Sequence, residues 1–284
     1  MKYGVNTFIW TACYTPADAH LLPRIKDAGF DGVEVAIFDP ATFDAPAMRR
    51  GFEQNGLECT VVSVLSKEVN IISDDPAIRE RGRNHLAACF RRVAGAGASI
   101  IAGPLYAPLG HLPGRRRTDE EWDRAVDAYR SLTPVLEETG VTVAIEPLNR
   151  FETYFLNTAE DAARFCREVN HPNVGILLDT FHANIEEKQI GDAFRIAGPY
   201  LKHVHTCEND RGTPGTGHVE WDDVFAALSD VGYDGWLTIE SFGAKIEAIA
   251  AAAAIWRDIE PVTESIAFDG VKFLKRKTAV AAAG

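Results

Sequence analysis

Residues 141–152 read VTVAIEPLNRFE. Val141, Val143 and Ile145 alternate with Thr142 and Ala144, an apolar, β-branched run suited to a buried parallel strand. The run ends on a carboxylate, Glu146, directly before Pro147, whose missing N–H cannot extend a ladder. Such a strand carries Glu146 to the edge of a sheet, where it meets water or a ligand. The pattern recurs three times downstream. VGILLDT (174–180) carries Asp179, YLKHVHT (200–206) carries His205 and GWLTIES (235–241) carries Glu240. The intervals of 33, 26 and 35 residues each match about one strand–helix unit. Four successive strands delivering Glu, Asp, His and Glu to one end of a sheet predict a metal site on an α/β fold, a single (β/α)8 barrel.

The rest of the chain supplies the remaining units. Strands are expected at 2–6, 32–38, 58–63 and 99–102, then at 141–146, 174–179, 201–205 and 236–240. Helices between them carry punctuation. Asn55-Gly56 stops one helix and Asp75-Pro76 starts another. Thr118 with Glu121 makes a capping box for a helix to about Thr139. Thr158 caps a helix over 159–169, and further helices are expected at 191–197 and 221–230. The alanine run 248–254 is placed in the last helix. No linker or low-complexity block interrupts this order, so residues 1–260 are read as one barrel domain. Residues 261–284 are read as a C-terminal extension, expected to be partly disordered. A doubly wound sheet is the alternative, but its reversal of strand order would not bring four consecutive strand ends round one point.

The length of 284 residues suits one such barrel. The net charge of −12 argues against nucleic acid or an anionic membrane as partner, because phosphates are held by Lys and Arg. Five cysteines without a CxxC pair fit free thiols in a reducing cytoplasm. No signal-peptide pattern and no run of about 18 apolar residues is present.

Three carboxylates and one imidazole form a hard, mostly oxygen-donor set that favours Mn²⁺, with Co²⁺ or Mg²⁺ also possible. With a divalent ion their charge sums to −1, which suits a neutral polyol chelating through two oxygens. A single Asp or Glu of this kind reads more readily as a strand-end carboxylate in an ion pair; four in register are harder to explain that way. Glu34, inside a strand, either points into the barrel near the site or enters an ion pair. His203 is expected to leave its strand on the face opposite His205 and pack against helices. Gly212, Gly215 and Gly217 are read as a tight loop positioning Arg211 and His218 rather than as a phosphate cradle. Arg115–Arg117 is read as a solvated basic run, and Cys207 as merely near the site.

IEPLNRFE (145–152), LLDTFHANIEE (177–187), HVHTCENDRGTPGTGHVEW (203–221) and TIESF (238–242) together resemble the ketose 3-epimerases of the xylose-isomerase-like sugar isomerase/epimerase superfamily. The resemblance runs over about residues 2–258. It implies a xylose-isomerase-like TIM barrel with Glu146, Asp179, His205 and Glu240 as metal ligands. It also implies that Glu146 and Glu240 are the acid/base pair, and that Glu152, His182 and Arg211 hold the carbonyl end of a sugar. Without the resemblance, His182 reads as an ordinary loop histidine. The implied reaction is epimerisation of free ketoses at C3 through a cis-enediolate, and the implied assembly is a homodimer or homotetramer. An aldose–ketose or hydroxypyruvate isomerase, an inosose dehydratase and a non-catalytic sugar- or metal-binding barrel are the alternatives. The sequence departs from many relatives in the loop after the fourth strand, where Tyr106–Leu109 replaces a tryptophan. It departs again after the first strand, where Asn6 or Thr7 replaces an aromatic and Phe8 and Trp10 lie close by.

Overall fold

The structure is a computed structural model and describes residues 1–281. Eight parallel strands close into a barrel in sequence order: β1 (Lys2–Asn6), β2 (Gly32–Ala36), β3 (Glu58–Val62), β4 (Ile100–Gly103), β5 (Thr142–Ile145), β6 (Val174–Asp179), β7 (Leu201–His205) and β8 (Trp236–Ile239). β8 pairs with β1, with Leu237 opposite Tyr3 and Ile239 opposite Val5, and so closes the ring. The helices are α1 (Leu22–Asp27), α2 (Ala45–Gln54), α3 (Pro76–Gly95), α4 (Asp119–Thr139), α5 (Ala159–Val169), α6 (Thr180–Glu186), α7 (Ile190–Ala197), α8 (Trp221–Asp230), α9 (Glu247–Ala252) and α10 (Ser265–Ala281).

Alternation along the strands sorts residues into two cores. Val33, Val61, Ile101, Val143 and Ile176 face outward and pack beneath the helices, with Ile25, Phe90, Leu136, Phe165 and Phe194. Ala36, Val62, Ala102, Ala144 and Leu177 form a second cluster with Phe8 and Ile249. These inward residues set the site, because the next inward position on each strand lies two residues on. After Ala144 it is Glu146, after Leu177 it is Asp179, and after Thr238 it is Glu240.

Helix punctuation follows local chemistry. Thr118 Oγ1 accepts from the Glu121 amide at 3.2 Å, and Glu121 Oε2 accepts from the Thr118 amide at 2.8 Å, closing the capping box at the start of α4. Gly140 ends that helix at φ +68°, a left-handed position that costs glycine nothing sterically. Gly103, at the end of β4, has φ +126°, and a Cβ there would sit 2.3 Å from the Ser63 carbonyl oxygen. Only glycine lets these two backbones approach so closely.

The alanine run forms the short helix α9, not the last helix. The C-terminal extension is described as far as residue 281. Its last 17 described residues form α10, and Ile266, Val271 and Leu274 are buried. Tyr3 Oη bonds Thr278, and Lys275 Nζ donates to the Gly29 carbonyl at 2.6 Å. An extended apolar stripe on a helix gains enough burial to order it against the barrel; residues 282–284 lie outside the described residues. A further helix that no sequence signal marks, α6, has Asp179 itself as its N-cap. Among the described residues no helix is long and apolar enough to cross a membrane.

Candidate metal centre and active site

Glu146, Asp179, His205 and Glu240 converge above the inner cluster. One ligand atom from each lies within 4.8 Å of every other, and all four residues are buried. His205 Nδ1 lies 3.4 Å from Glu240 Oε2 and 4.0 Å from Glu146 Oε1, aligned for a hydrogen bond with neither. Nδ1 and Glu146 Oε1 are both buried without a partner. Arg211 supplies the cation: its Nη1 donates to Asp179 Oδ2 at 2.5 Å and to Glu240 Oε2 at 3.1 Å.

Titration follows from this crowding. Burial pushes the Glu146 carboxyl well above its ordinary pKa; His205 opposes that, and Glu240 and Asp179 add to it. Burial also acts to raise Glu240, but His205 and Arg211 outweigh it and hold the group below its ordinary value. Burial pushes His205 down, yet Glu240 and Glu34 on its two sides raise it well above normal.

Each side chain is positioned by its backbone. Tyr106 Oη donates to the Glu146 carbonyl at 2.9 Å, and the Glu146 amide donates to the Gly103 carbonyl at 3.1 Å. Asp179 Oδ1 accepts from the Phe181 amide at 2.8 Å, which leaves Oδ2 for the site. Cys207 Sγ donates to the Glu240 carbonyl at 3.1 Å, so this thiol is built into the support of the cluster. His203 does not pack against helices. Residues two apart on a strand share a face, so His203 and His205 both point inward and both meet Glu34, at 2.7 and 2.8 Å. Glu34 thus takes the inward of its two sequence readings.

Beside the cluster, His182, Glu152 and Arg211 line one cavity of about 230 Å³ together with Glu146 and Glu240. Asn149 orders two of them: its backbone amide donates to His182 Nδ1 at 3.2 Å and its Nδ2 to Glu152 Oε1 at 2.8 Å. Acceptance at Nδ1 places the His182 proton on Nε2, 3.1 Å from Arg211 Nη2. Two donors therefore face the same space, where a ligand oxygen would accept from both. Arg211 has φ +66°, an unfavourable conformation for a non-glycine residue that tends to gather at functional sites. Its guanidinium lies 4.0 Å from the Phe181 ring centroid and 5.1 Å from that of Phe242.

The glycine-rich loop is tied down by a residue the sequence reading missed. Buried Glu208 accepts from the amides of Asn209, Gly215 and Val219 and from Trp221 Nε1, at 2.7–3.1 Å. The loop delivers Arg211 to the cluster, whereas His218 is exposed. The remaining wall of the cavity is apolar, with Phe8, Phe38, Val64, Pro104, Leu109 and Phe242. Trp10 is not part of it, and instead donates from Nε1 to Glu264 at 2.7 Å. Tyr106 lies beneath the wall, fully buried. A lone Asn or Glu in a loop carries no periodic signal, so neither Asn149 nor Glu208 stands out; LNRFE and CEN, each one residue past a strand-end ligand, are the stretches that hold them.

The cluster fits a divalent cation. Glu146, Asp179 and Glu240 crowd one buried site in which Arg211 pairs only with the last two, and crowded buried carboxylates are costly without a counter-ion. The unpartnered Glu146 Oε1 and His205 Nδ1 are a carboxylate oxygen and an imidazole nitrogen, both suited to a borderline or hard metal.

A closed eightfold barrel with a carboxylate–imidazole cluster at the C-terminal ends of β5 to β8 is a xylose isomerase-like TIM barrel, and that family's profile matches residues 22–268. The chain is 34% identical to a probable ketose 3-epimerase of Synechocystis sp., over 97% of this chain and 96% of that one. It is also 34% identical to a D-psicose 3-epimerase of Ruminiclostridium cellulolyticum, over 91% and 90% of the two chains. The crystal structure of D-allulose 3-epimerase from Methylomonas sp. in complex with D-allulose superposes with a TM-score of 0.92 at 30% identity, covering 98% of this chain and 97% of the other. Within its class, then, the chain belongs to the ketose 3-epimerases, and it is an enzyme of the isomerase class.

Proposed function

We propose that this enzyme epimerises unphosphorylated ketoses at C3, with a divalent ion, Mn²⁺ first, held by Glu146, Asp179, His205 and Glu240. The observation that carries the reading is the convergence of those four side chains beside a cavity that Glu146 and Glu240 also line. When bound, such an ion would serve as a Lewis acid for the negative charge that develops on the substrate oxygens.

The protein's own groups supply the rest. Glu146 and Glu240 follow strands three apart round the ring, and one removes the C3 proton while the other returns a proton to the opposite face. His182 Nε2–H and Arg211 Nη2–H converge on the oxygen at the carbonyl end and stabilise charge there. Glu152, held by Asn149, accepts from a neighbouring hydroxyl. The preference for unphosphorylated substrate rests on how the nearby basic and amide groups are used. The Asn209, Gly215 and Val219 amides already bond Glu208, Arg115 pairs with Glu121 and Arg117 with Asp161.

The test is a product profile. The chelated protein, with and without added Mn²⁺, is incubated with D-fructose, D-tagatose and L-ribulose. The C3 epimer is expected only in the metal-loaded samples. An aldose product would move the assignment to aldose–ketose isomerisation, and metal uptake without turnover would make the barrel a binding module. A homo-oligomer and a cytoplasmic location belong to the same proposal and are checked by sedimentation and fractionation.

A further inference from the structure

Asn6, Glu34 and Thr60 are register partners across β1, β2 and β3, so their side chains leave the barrel wall on one face. Glu34 is fully buried and receives four donors. Its Oε1 accepts from Asn6 Nδ2 at 3.0 Å and His205 Nε2 at 2.8 Å; its Oε2 accepts from Thr60 Oγ1 at 2.9 Å and His203 Nε2 at 2.7 Å. An ionised carboxylate only accepts, so both imidazoles must meet it with a proton on Nε2. His205 then turns Nδ1 towards Glu146 and Glu240, and His203 Nδ1 is left without a partner. The amide of Asn6 cannot turn round, because its Oδ1 is occupied by the Phe8 amide at 2.9 Å.

We infer that Glu34, oriented by Asn6, is a positioning residue that fixes the His205 proton on Nε2 and so keeps Nδ1 turned into the cluster as a ligand. The metal-binding part rests on the divalent site proposed above; the proton placement does not. The two oxygens of Glu34 are not equivalent. In Glu34→Gln the amide oxygen must take the Oε1 side, since Asn6 offers only N–H there. The new NH₂ must then face Thr60, whose hydroxyl can rotate to accept, and His203. His205 therefore keeps its proton on Nε2, while His203 must accept at Nε2 and carry its proton on Nδ1. Glu34→Ala removes the constraint on both rings.

The experiment is side-chain ¹⁵N NMR of the histidines in wild-type protein, Glu34→Gln and Glu34→Ala, metal-free and Mg²⁺-loaded. Calorimetric titration with Mn²⁺ and a melting curve for each protein accompany it. The expected result is His203 on Nε2 in wild type and on Nδ1 in Glu34→Gln, with His205 keeping its Nε2 proton in both. Mn²⁺ affinity should fall by up to about 10-fold in Glu34→Gln and by about 100-fold in Glu34→Ala, the range for losing a group that orients a metal-bound histidine. An unchanged His203 tautomer in Glu34→Gln, or affinities within twofold in both folded variants, overturns the inference. Two Mn²⁺ per wild-type chain would also overturn it, since Glu34, His203 and His205 would then be ligands themselves. If Glu34→Ala does not fold, Glu34→Gln still decides. If wild type takes up no divalent ion, the functional proposal fails, while the His203 readout in metal-free protein still tests Glu34.

Discussion

At the scale of single residues the two-carboxylate arrangement makes the sharpest demand. Glu146→Gln and Glu240→Gln each keep an oxygen that can ligate a metal but lose the proton carrier. Each is expected to lower kcat for epimerisation by about 10³-fold, within the range for removing a positioned acid or base. Each should still wash solvent deuterium into C3 of one epimer, and the two variants should choose opposite epimers. Mass spectrometry of both epimers in D₂O checks this, after metal content has been verified. A metal-loaded variant that epimerises near the wild-type rate reduces that glutamate to a ligand. Asn149 is not one of the four cluster residues, yet its side chain holds Glu152 and its backbone orients His182. Asn149→Ala should therefore raise KM several-fold while leaving metal affinity unchanged, measurable by steady-state kinetics beside a metal titration.

Among the elements, the loop between β7 and α8 depends on Glu208 as a strand depends on its neighbour. Replacing Glu208 by Ala leaves two buried donors, the Val219 amide and the Trp221 indole N–H, without an acceptor, beside the part-buried Asn209 and Gly215 amides. Unsatisfied buried groups cost about 1–3 kcal/mol each, so Glu208→Ala should lower the melting temperature by roughly 5–10 °C and weaken substrate binding through Arg211. A thermal melt with a kinetic assay checks both effects. The start of α4 supplies a pH dependence away from the cluster. Burial acts to raise Glu121, but Arg115, the Thr118 amide and Tyr154 outweigh it and hold the carboxyl at about 2. A depressed carboxyl stabilises the fold fully above its unfolded pKa, near 4.5, and loses that contribution as pH falls towards the folded value. Glu121→Gln should thus cost about 2 kcal/mol at pH 7, discounted for the half-exposed Arg115. The cost should shrink between pH 4.5 and 2, as urea unfolding at a series of pH values would show.

For the whole molecule the strongest expectation is linkage between metal and stability. The cluster draws one ligand from each of four elements or their ends, β5 to β8, so an ion bound there ties half the ring together. Binding to the native state alone adds about 2.7 kcal/mol at a free concentration 100 times Kd. Chelation should therefore lower the melting temperature and remove activity together, and Mn²⁺ should restore both. Full activity in a sample shown metal-free by elemental analysis would refute the proposed cofactor. α10 is part of the same unit, since it covers the β8–β1 side with Ile266, Val271 and Leu274 and bonds back to Tyr3 and Gly29.

The eight strands, the barrel and the convergence of Glu146, Asp179, His205 and Glu240 were legible in the sequence, because each depends on short-range pattern. Alternating β-branched residues specify a strand, and the residue at its end shares the edge of its neighbours. The capping box at Thr118 and Glu121 is local for the same reason. What surrounds the cluster was decided only by the closed ring. Glu34 meets His203 and His205 across 169 and 171 residues of chain, a contact that exists because closure brings β2 and β7 to face one interior. Glu208 and Asn149 matter through hydrogen bonds that no period announces, and the order of α10 comes from an apolar stripe that gains stability only once the barrel offers a surface to cover. Sequence pattern specifies which residues face inward; the tertiary structure decides which of them touch, since distance across a barrel is independent of distance along the chain.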